Sequence, residues 1–420
     1  MWPISEGVSF MNQTNGGWRH QRGQTLPMMT LMVIILFVFV GLGIDVTFAY
    51  LTRAALSKAA DAACMMGIRN LAQGQSVALD IARSTFDMNY SSSGVAGRQA
   101  AAPTVTPVFS TTPNGNVQLT VTASVPINTF FVRVLPAWRQ LNVGATAQSQ
   151  RARVAMSLVL DRSGSMNGNG GAAALPPAVA TFIDQFDENV DRAGMSSFAS
   201  HARRDVDPIT APFKTAIKNA ANALVFQGGT FSQGGLTNGF AQIQAVPVVP
   251  GEDIVKVCVF FTDGLANIVQ HTLNCGGTPT LRNFGGYDSG SSVGFFNPAN
   301  GTHLCTTSGG TPSCCAGVST FPSAIDGTSK TFLRSNVKPE AEFRAVQVAN
   351  EMRANGIIVY AVGLGNNINQ EFLRQVANDP TVSGYTPTFY DGEALFAPTS
   401  QQLAQVFEVL ANKIILRLTQ

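Results

Sequence analysis

The segment Asp161-Arg162-Ser163-Gly164-Ser165 gathers one carboxylate and two hydroxyls within a few residues. All three are hard oxygen donors, the kind that Mg²⁺, Mn²⁺ and Ca²⁺ prefer. Two later segments could complete a cation site. Gly228-Gly229-Thr230, ahead of a helix carrying Gly235-Leu236, offers a third hydroxyl, and Thr262-Asp263-Gly264 offers a second carboxylate. Each acid also has an ordinary structural use: Asp161 could cap a helix, and Asp263 could shape a turn. The joint pattern favours a site. Asp161 follows the apolar run Val154 to Leu160, and Asp263 follows VKVCVFF. In an open α/β sheet ligands bind at the carboxyl ends of the strands.

The elements that would position these residues follow from the same rhythm. From Arg153 onward, apolar strands alternate with helices, which predicts a doubly wound, mostly parallel α/β sheet covered on both faces. The pattern places strands at 154–160, 195–199, 255–261, 357–362 and 388–390. Helices fall at 176–190, 212–224, 236–244, 339–354, 369–378 and 401–415. Between 266 and 331 the rhythm breaks into a stretch rich in Gly, Ser, Thr, Asn and Pro. It carries Cys275, Cys305, Cys314 and Cys315 together with His271 and His303. Following Asp263 directly, it should hang over the cation face. Zinc is one reading, but no Cys-x₂-Cys pair exists, and two disulfides are preferred. A bridge between the neighbours Cys314 and Cys315 would be strained, so each is expected to pair with Cys275 or Cys305. Cys64 and Cys258 sit in apolar contexts and read as structural.

Upstream, the uncharged run Leu26 to Ile44 spans roughly 28 Å as a helix, near the hydrocarbon thickness of a bilayer. The run exceeds a signal-peptide core and no small-x-small cleavage site follows, so a retained, single-pass anchor is expected. Arg19 and Arg22 precede it, which places the N-terminus in the cytoplasm and the bulk of the chain outside. The helical pattern continues to about Leu71 with a stripe of Ala54, Ala55, Ala59, Ala60, Ala62 and Ala63. This is either a close-packing face or simply good helix-forming sequence. A short helix at 79–88 and strands at 104–110, 117–125, 129–134 and 141–148, with a Pro-Asn-Gly-Asn turn, predict a small antiparallel sheet. The organisation expected is thus a cytoplasmic tail at 1–25, a membrane anchor at 26–44, a helix plus small sheet at 45–150, and the α/β domain at 151–420.

Composition narrows the function. The chain has 420 residues, 12% charged, with a formal net charge of +2, so it offers no concentrated basic face and nucleic acid is not an expected partner. A P-loop and a convincing Ser–His–Asp order are missing from the sequence, which disfavours hydrolase readings.

DRSGSM, GGTFSQGGL and FFTDG, in that order, resemble the metal-ion-dependent adhesion site of von Willebrand factor A domains over about residues 153–416. The resemblance implies Asp161, Ser163, Ser165, Thr230 and Asp263 as ligands of a divalent cation (Mg²⁺ or Mn²⁺, with Ca²⁺ the alternative). It implies a last coordination position taken by water or a partner's carboxylate. RGQTLPMM…GIDVTFAYLTRAALSKAADAACMMG is similar to TadE/TadG (tight adherence) proteins of Flp pilus assembly, some of which carry a von Willebrand A domain. That implies a pilin-like middle region, a bacterial inner-membrane location, and pilus-assembly or pilin-like subunits as partners. Pilin-like members often have Glu five residues after the processing Gly. Here Met28 holds that position after Gly23, a departure that bears on prepilin-peptidase processing. The expected role is therefore membrane-anchored, metal-dependent adhesion or protein binding outside the cytoplasm, not enzymatic. A metal-dependent hydrolase and a von Willebrand A-type assembly factor working with an ATPase are the alternatives.

Overall fold

The computed structural model describes residues 25–91, 95–134, 136–248, 250–286, 292–308, 310–366 and 368–418. The tail with Arg19, Arg22 and Gly23 lies outside them. The chain divides into two compact units. One comprises Met1–Leu56, Tyr90–Thr104 and Ala123–Ala145; the other comprises Ser57–Asn89, Val105–Thr122 and Thr146–Gln420.

Helix α1 runs through Thr25–Arg69, 45 residues and about 67 Å at a rise of about 1.5 Å per residue. Its first half, from Leu26 to Leu42, exposes nearly every large apolar side chain and is long and apolar enough to cross a membrane. Its second half is different. Ala59, Ala60, Ala63 and Cys64 are buried. A Cβ added at Gly67 would fall 2.5 Å from Leu119 Cδ2 and 3.0 Å from Ala82 Cβ. The Ala59, Ala60 and Ala63 part of the alanine stripe therefore packs within the chain, against α2 (Gln75–Asn89) and the strands that follow, while Ala54 is exposed. The Cys64 thiol lies 3.3 Å from the Ala147 carbonyl. The strands are β1 (Thr104–Thr111), β2 (Val117–Asn128) and β3 (Gln140–Arg151), forming one three-stranded sheet in that order. The expected strand at 129–134 is not there. Val132–Val134 is a 3₁₀ turn instead. Its alternating side chains resemble a strand, but three consecutive backbone N–H groups, those of Phe130, Phe131 and Val132, donate to the Asp45 carboxylate at 2.8–2.9 Å. That curls the backbone away from a ladder.

The α/β part begins at β4 (Arg153–Asp161), followed by α3 (Ser165–Gly168), α4 (Gly171–Asp184), β5 (Arg192–Phe198), β6 (Ala202–Thr210), α5 (Lys214–Asn222), α6 (Ser232–Gln244) and β7 (Ile254–Thr262). After the inserted segment come α7 (Arg334–Ala354), β15 (Ile357–Leu364), α8 (Gln370–Ala377), β16 (Ala394–Ala397) and α9 (Leu403–Leu418). The sheet order is β16-β15-β7-β4-β5-β6. All neighbours are parallel except β6, which returns antiparallel along β5. β6 was not foreseen: its run ARRDVDPIT is polar because an edge strand keeps one side in water. The expected strand at 388–390 is replaced by Ala394–Ala397, which pairs Ala361 with Ala394. Pro387 lacks a ladder donor, and the segment before it is turns. The helix expected at 176–190 instead runs 171–184. β4 is buried along both faces, with α4 and α9 against one side and α6, α7 and α8 against the other.

The segment between β7 and α7 is ordered as strands. β8 (Ile268–Cys275), β9 (Thr278–Gly286), β10 (Val293–Phe296), β11 (His303–Ser308) and β12 (Thr311–Pro312) form an antiparallel meander. A small pair, β13 (Thr320–Pro322) with β14 (Ser329–Thr331), follows. The β8–β9 hairpin turns at Gly276-Gly277, both at positive φ, which glycine adopts without strain. Cys275–Cys315 and Cys305–Cys314 are disulfides, with Cα–Cα distances of 4.4 and 5.7 Å. The remaining cysteines, Cys64 and Cys258, are buried free thiols, so the insertion keeps no thiolate for zinc.

Candidate metal centre

The parallel register pairs Leu160 of β4 with Phe261 of β7. That sets Asp161 beside Thr262, one residue before Asp263, at the carboxyl end of the central strands. β4 is also where the strand order reverses, the usual crevice of an open α/β sheet.

Asp161 is fully buried. One carboxylate oxygen accepts the Ser163 N–H at 2.7 Å, and the other accepts the Thr262 hydroxyl at 2.5 Å. The Ser163 and Ser165 hydroxyls lie 3.0 Å apart, and Ser165 donates to Asp263 Oδ1 at 2.7 Å. Asn169 Nδ2 donates to Asp263 Oδ2 at 3.0 Å. The glycine loop is tied in from the side: the Gly164 N–H bonds to the Gly228 carbonyl at 3.0 Å and the Gln227 N–H to the Arg162 carbonyl at 2.9 Å. Gly228 has φ of +85°, and a Cβ there would fall 2.5 Å from Ser200 Oγ. Thr230 is held by Asn267, whose side-chain oxygen accepts its N–H at 2.8 Å. A Cβ built on Gly264 would sit 3.3 Å from Ser165 Oγ and 3.7 Å from Thr230 Oγ1. The space left by that missing side chain is thus shared by hydroxyls from two separate loops.

The structure brings Asp161, Ser163, Ser165 and Asp263 into one hydrogen-bonded chain, with Thr230 across the Gly264 gap. The donor set suits a divalent cation: two carboxylates, three hydroxyls and no sulfur or imidazole. The electrostatics agree. Burial, and then repulsion from Asp263, push the Asp161 carboxyl up; burial also raises Asp263, against the hydrogen bonds from Ser165 and Asn169. Two acids so placed gain most from a positive charge between them. Among the described residues no cluster of three or more His, Cys, Asp or Glu is present, so hydroxyls carry much of this donor set. Three contributors were missed in the sequence. Thr262 could have been found as the first residue of Thr-Asp-Gly; Asn169 and Asn267 carry no local signal.

Beside the Ser165–Thr230 side of this cluster lies a cleft of about 490 Å³. Its floor includes Arg162, Ser165 and Thr230, and its far wall is the insertion at Asn300 to His303. Arg162 is buried and donates to Ser197 Oγ at 3.2 Å, while its Nη2 lies 3.2 Å from His201 Nε2. Burial, then Arg162 and Arg203, push His201 down to about 4, so its ring is neutral at pH 7.

Residues 23–70 match the family model of Flp pilus-assembly TadE/G-like proteins, and residues 156–272 match that of the von Willebrand factor type A domain. No curated protein matches the chain. Among solved structures it is similar to the PilB minor pilin from Streptococcus sanguinis, at 15% identity and TM-score 0.43, covering 77% of this chain and 81% of that one. It is also similar to the vWF domain of the type V pili tip protein Mfa5 from Porphyromonas gingivalis. There the identity is 17%, the TM-score 0.41, and the coverage 64% and 97%. The pilus adhesin SpaC from Lactobacillus rhamnosus GG gives 17% and 0.41; the match covers 75% of this chain but only 34% of SpaC. The chain therefore joins a TadE/G-like N-terminal segment to a von Willebrand factor type A domain.

Proposed function

We propose that this chain is a membrane-anchored pilus-assembly or adhesion protein that binds an acidic partner through a divalent cation, Mg²⁺ or Mn²⁺ by preference. Asp161, Ser163, Ser165, Thr230 and Asp263 would hold the cation. The observation that carries this reading is the Asp161–Ser163–Ser165–Asp263 chain facing the Gly264 gap. A cation there supplies an electrophilic centre for a partner's carboxylate. The protein's own residues do the rest. Thr262 and Asn169 orient the two acids, and the Arg162 guanidinium in the adjoining cleft adds positive charge where an acidic side chain would enter. Leu26 to Ile44 would cross the bacterial inner membrane once, leaving the domain outside the cytoplasm, where the two disulfides persist.

The same arrangement is poor for hydrolysis. A general base works best near the operating pH, but Asp161 and Asp263 would be committed to the cation, and His201 in the adjoining cleft is drawn down to about 4 beside a guanidinium. The test is calorimetric titration of the full chain in detergent with Mg²⁺ and Mn²⁺, paired with co-purification of pilus-assembly subunits with and without chelator. Saturable cation binding that is lost in Asp161→Ala, with chelator-sensitive capture, is the expected result. Equal cation affinity in wild type, Asp161→Ala and Ser163→Ala would overturn the reading.

A further inference from the structure

Residues 130–138 carry Phe130, Phe131, Val132, Val134 and Trp138. A loop facing water would turn such side chains inward, yet Phe130 is 60% exposed, Val134 83% and Trp138 52%. The loop is nonetheless firmly held. Asp45, the first residue after the apolar run of α1, takes its three N–H groups. Arg98 Nη1 lies 3.3 Å from the same carboxylate, with its guanidinium carbon 3.9 Å from the Phe48 ring centroid. At the neck, Thr129 Oγ1 donates to the Trp138 carbonyl at 2.7 Å and the Thr129 N–H to the Arg139 carbonyl at 3.1 Å.

From that anchor the loop lies back along the helix. Phe131 sits on Gly41, where any Cβ would fall 2.4 Å from its ring. Phe131, Val132 and Val134 share an apolar groove of about 550 Å³ with Ile34, Phe37, Val38 and Leu42. Ile34 precedes Asp45 by eleven residues, roughly 16 Å along a helix. The polar side chains separate to another cavity, of about 610 Å³, where Arg133 and Arg139 meet Asn128, Thr129 and Gln140.

We infer that residues 130–134 and 136–138 form a second membrane contact: a loop seated in the lipid bilayer against the outer part of the α1 span, with Arg133 and Arg139 at the headgroup phosphates. The inference rests on the reading of α1 as a membrane span. The occupant follows from continuity. The groove is half built of Ile34 to Leu42, side chains that the span reading puts in hydrocarbon, so the loop at the same level shares that solvent. The backbone is suited to that depth where it is tied down: Asp45 accepts the N–H groups of Phe130, Phe131 and Val132, and the Thr129 hydroxyl satisfies the Trp138 carbonyl. An exposed indole followed directly by Arg139, in a loop that also carries Arg133, is the pattern of an interfacial anchor.

The test uses the full chain in vesicles of phosphatidylcholine and phosphatidylglycerol at three to one. The sequence has three tryptophans, so Trp2→Phe with Trp18→Phe leaves Trp138 as the sole reporter. Lipid brominated near the top of the acyl chains should quench Trp138 at least twofold more than unbrominated lipid, with little quenching by iodide. Asp45→Asn should release the loop and raise iodide quenching at least twofold. A parallel chain with Trp2→Phe, Trp18→Phe, Trp138→Phe and Phe39→Trp, a position on α1 outside the shared groove, reports on α1 alone. If that reporter escapes lipid quenching, the membrane-span reading falls. If it is quenched while Trp138 is open to iodide, or is shielded only at high protein-to-lipid ratio as self-association would produce, the loop inference falls and the span stands.

Discussion

Asp45 and Asp161 are both buried aspartates at the end of an apolar element, 2% and 0% exposed. Asp45 ends the apolar run of a helix and Asp161 ends a buried strand. They differ in what their oxygens face. The Asp45 carboxylate receives three N–H bonds and a guanidinium, all from its own unit. It is a staple. The Asp161 carboxylate receives one N–H and one hydroxyl, and across two serines it faces a second buried acid. It is half of the proposed cation site. The residue type is the same; the second carboxylate makes the difference, because like charges in a dry pocket create a demand that only a cation meets well.

The comparison can be broken by the same substitution at both places. Asp161→Asn should weaken Mg²⁺ and Mn²⁺ binding at least a hundredfold in calorimetric titration, while Asp45→Asn should leave it unchanged. Stability should move in opposite directions. Asp45→Asn leaves buried donors mismatched and should cost about 1–3 kcal/mol, read as a lower melting temperature in detergent. Asp161→Asn removes a repulsion and should raise the melting temperature of the cation-free protein at pH 8. A fall in both would mean that Asp161 is only another staple.

Acid titration sharpens the point. The folded-state value of Asp161 is raised from 3.8 to about 7, so the folded state binds the extra proton. Its contribution therefore turns against folding as pH rises from about 4 through 7 without a cation. Added Mg²⁺ should raise the melting temperature more at pH 8 than at pH 5.5; an equal rise at both would contradict the raised carboxyl. The smallest difference lies among the disulfides of the insertion. Cys275–Cys315 closes a separation of 40 residues and Cys305–Cys314 one of 9. Chain entropy assigns about 4 and about 2.5 kcal/mol to them. The Cys275→Ser/Cys315→Ser pair should therefore melt lower than Cys305→Ser/Cys314→Ser.

Much of this molecule is legible without coordinates. The apolar runs at Val154 to Leu160, Val255 to Phe261 and Ile357 to Val362 read as strands because a strand covered on both faces has no polar positions to blur it. Elements with one wet side were read poorly or missed. β6 is polar on its outer edge, β16 begins six residues beyond its expected start, and the insertion reads as irregular because its hairpins are built from Thr, Asn and Gly. The strand expected at 129–134 failed for another reason: alternation decides nothing when a distant carboxylate takes three consecutive amides.

The candidate site divides in the same way. Asp161, Ser163, Ser165, Thr230 and Asp263 are local motifs, each carried by residues adjacent in the chain, and chemistry at strand ends can be read from local order. Their convergence on the Gly264 gap comes from the β4–β7 register and the Gly164–Gly228 bond, which are tertiary facts. The partners Asn169 and Asn267, the Arg162–His201 contact and the insertion as a cleft wall are tertiary for the same reason. The apolar run and the four cysteines of the insertion are written in composition and spacing, whereas the pairing of Cys275 with Cys315 and Cys305 with Cys314 is tertiary. That Asp45 reaches 85 residues along the chain to fold an aromatic loop is tertiary too. A hydrogen bond between residues so far apart leaves no periodicity in the sequence, and only the folded chain brings its donor and acceptor together.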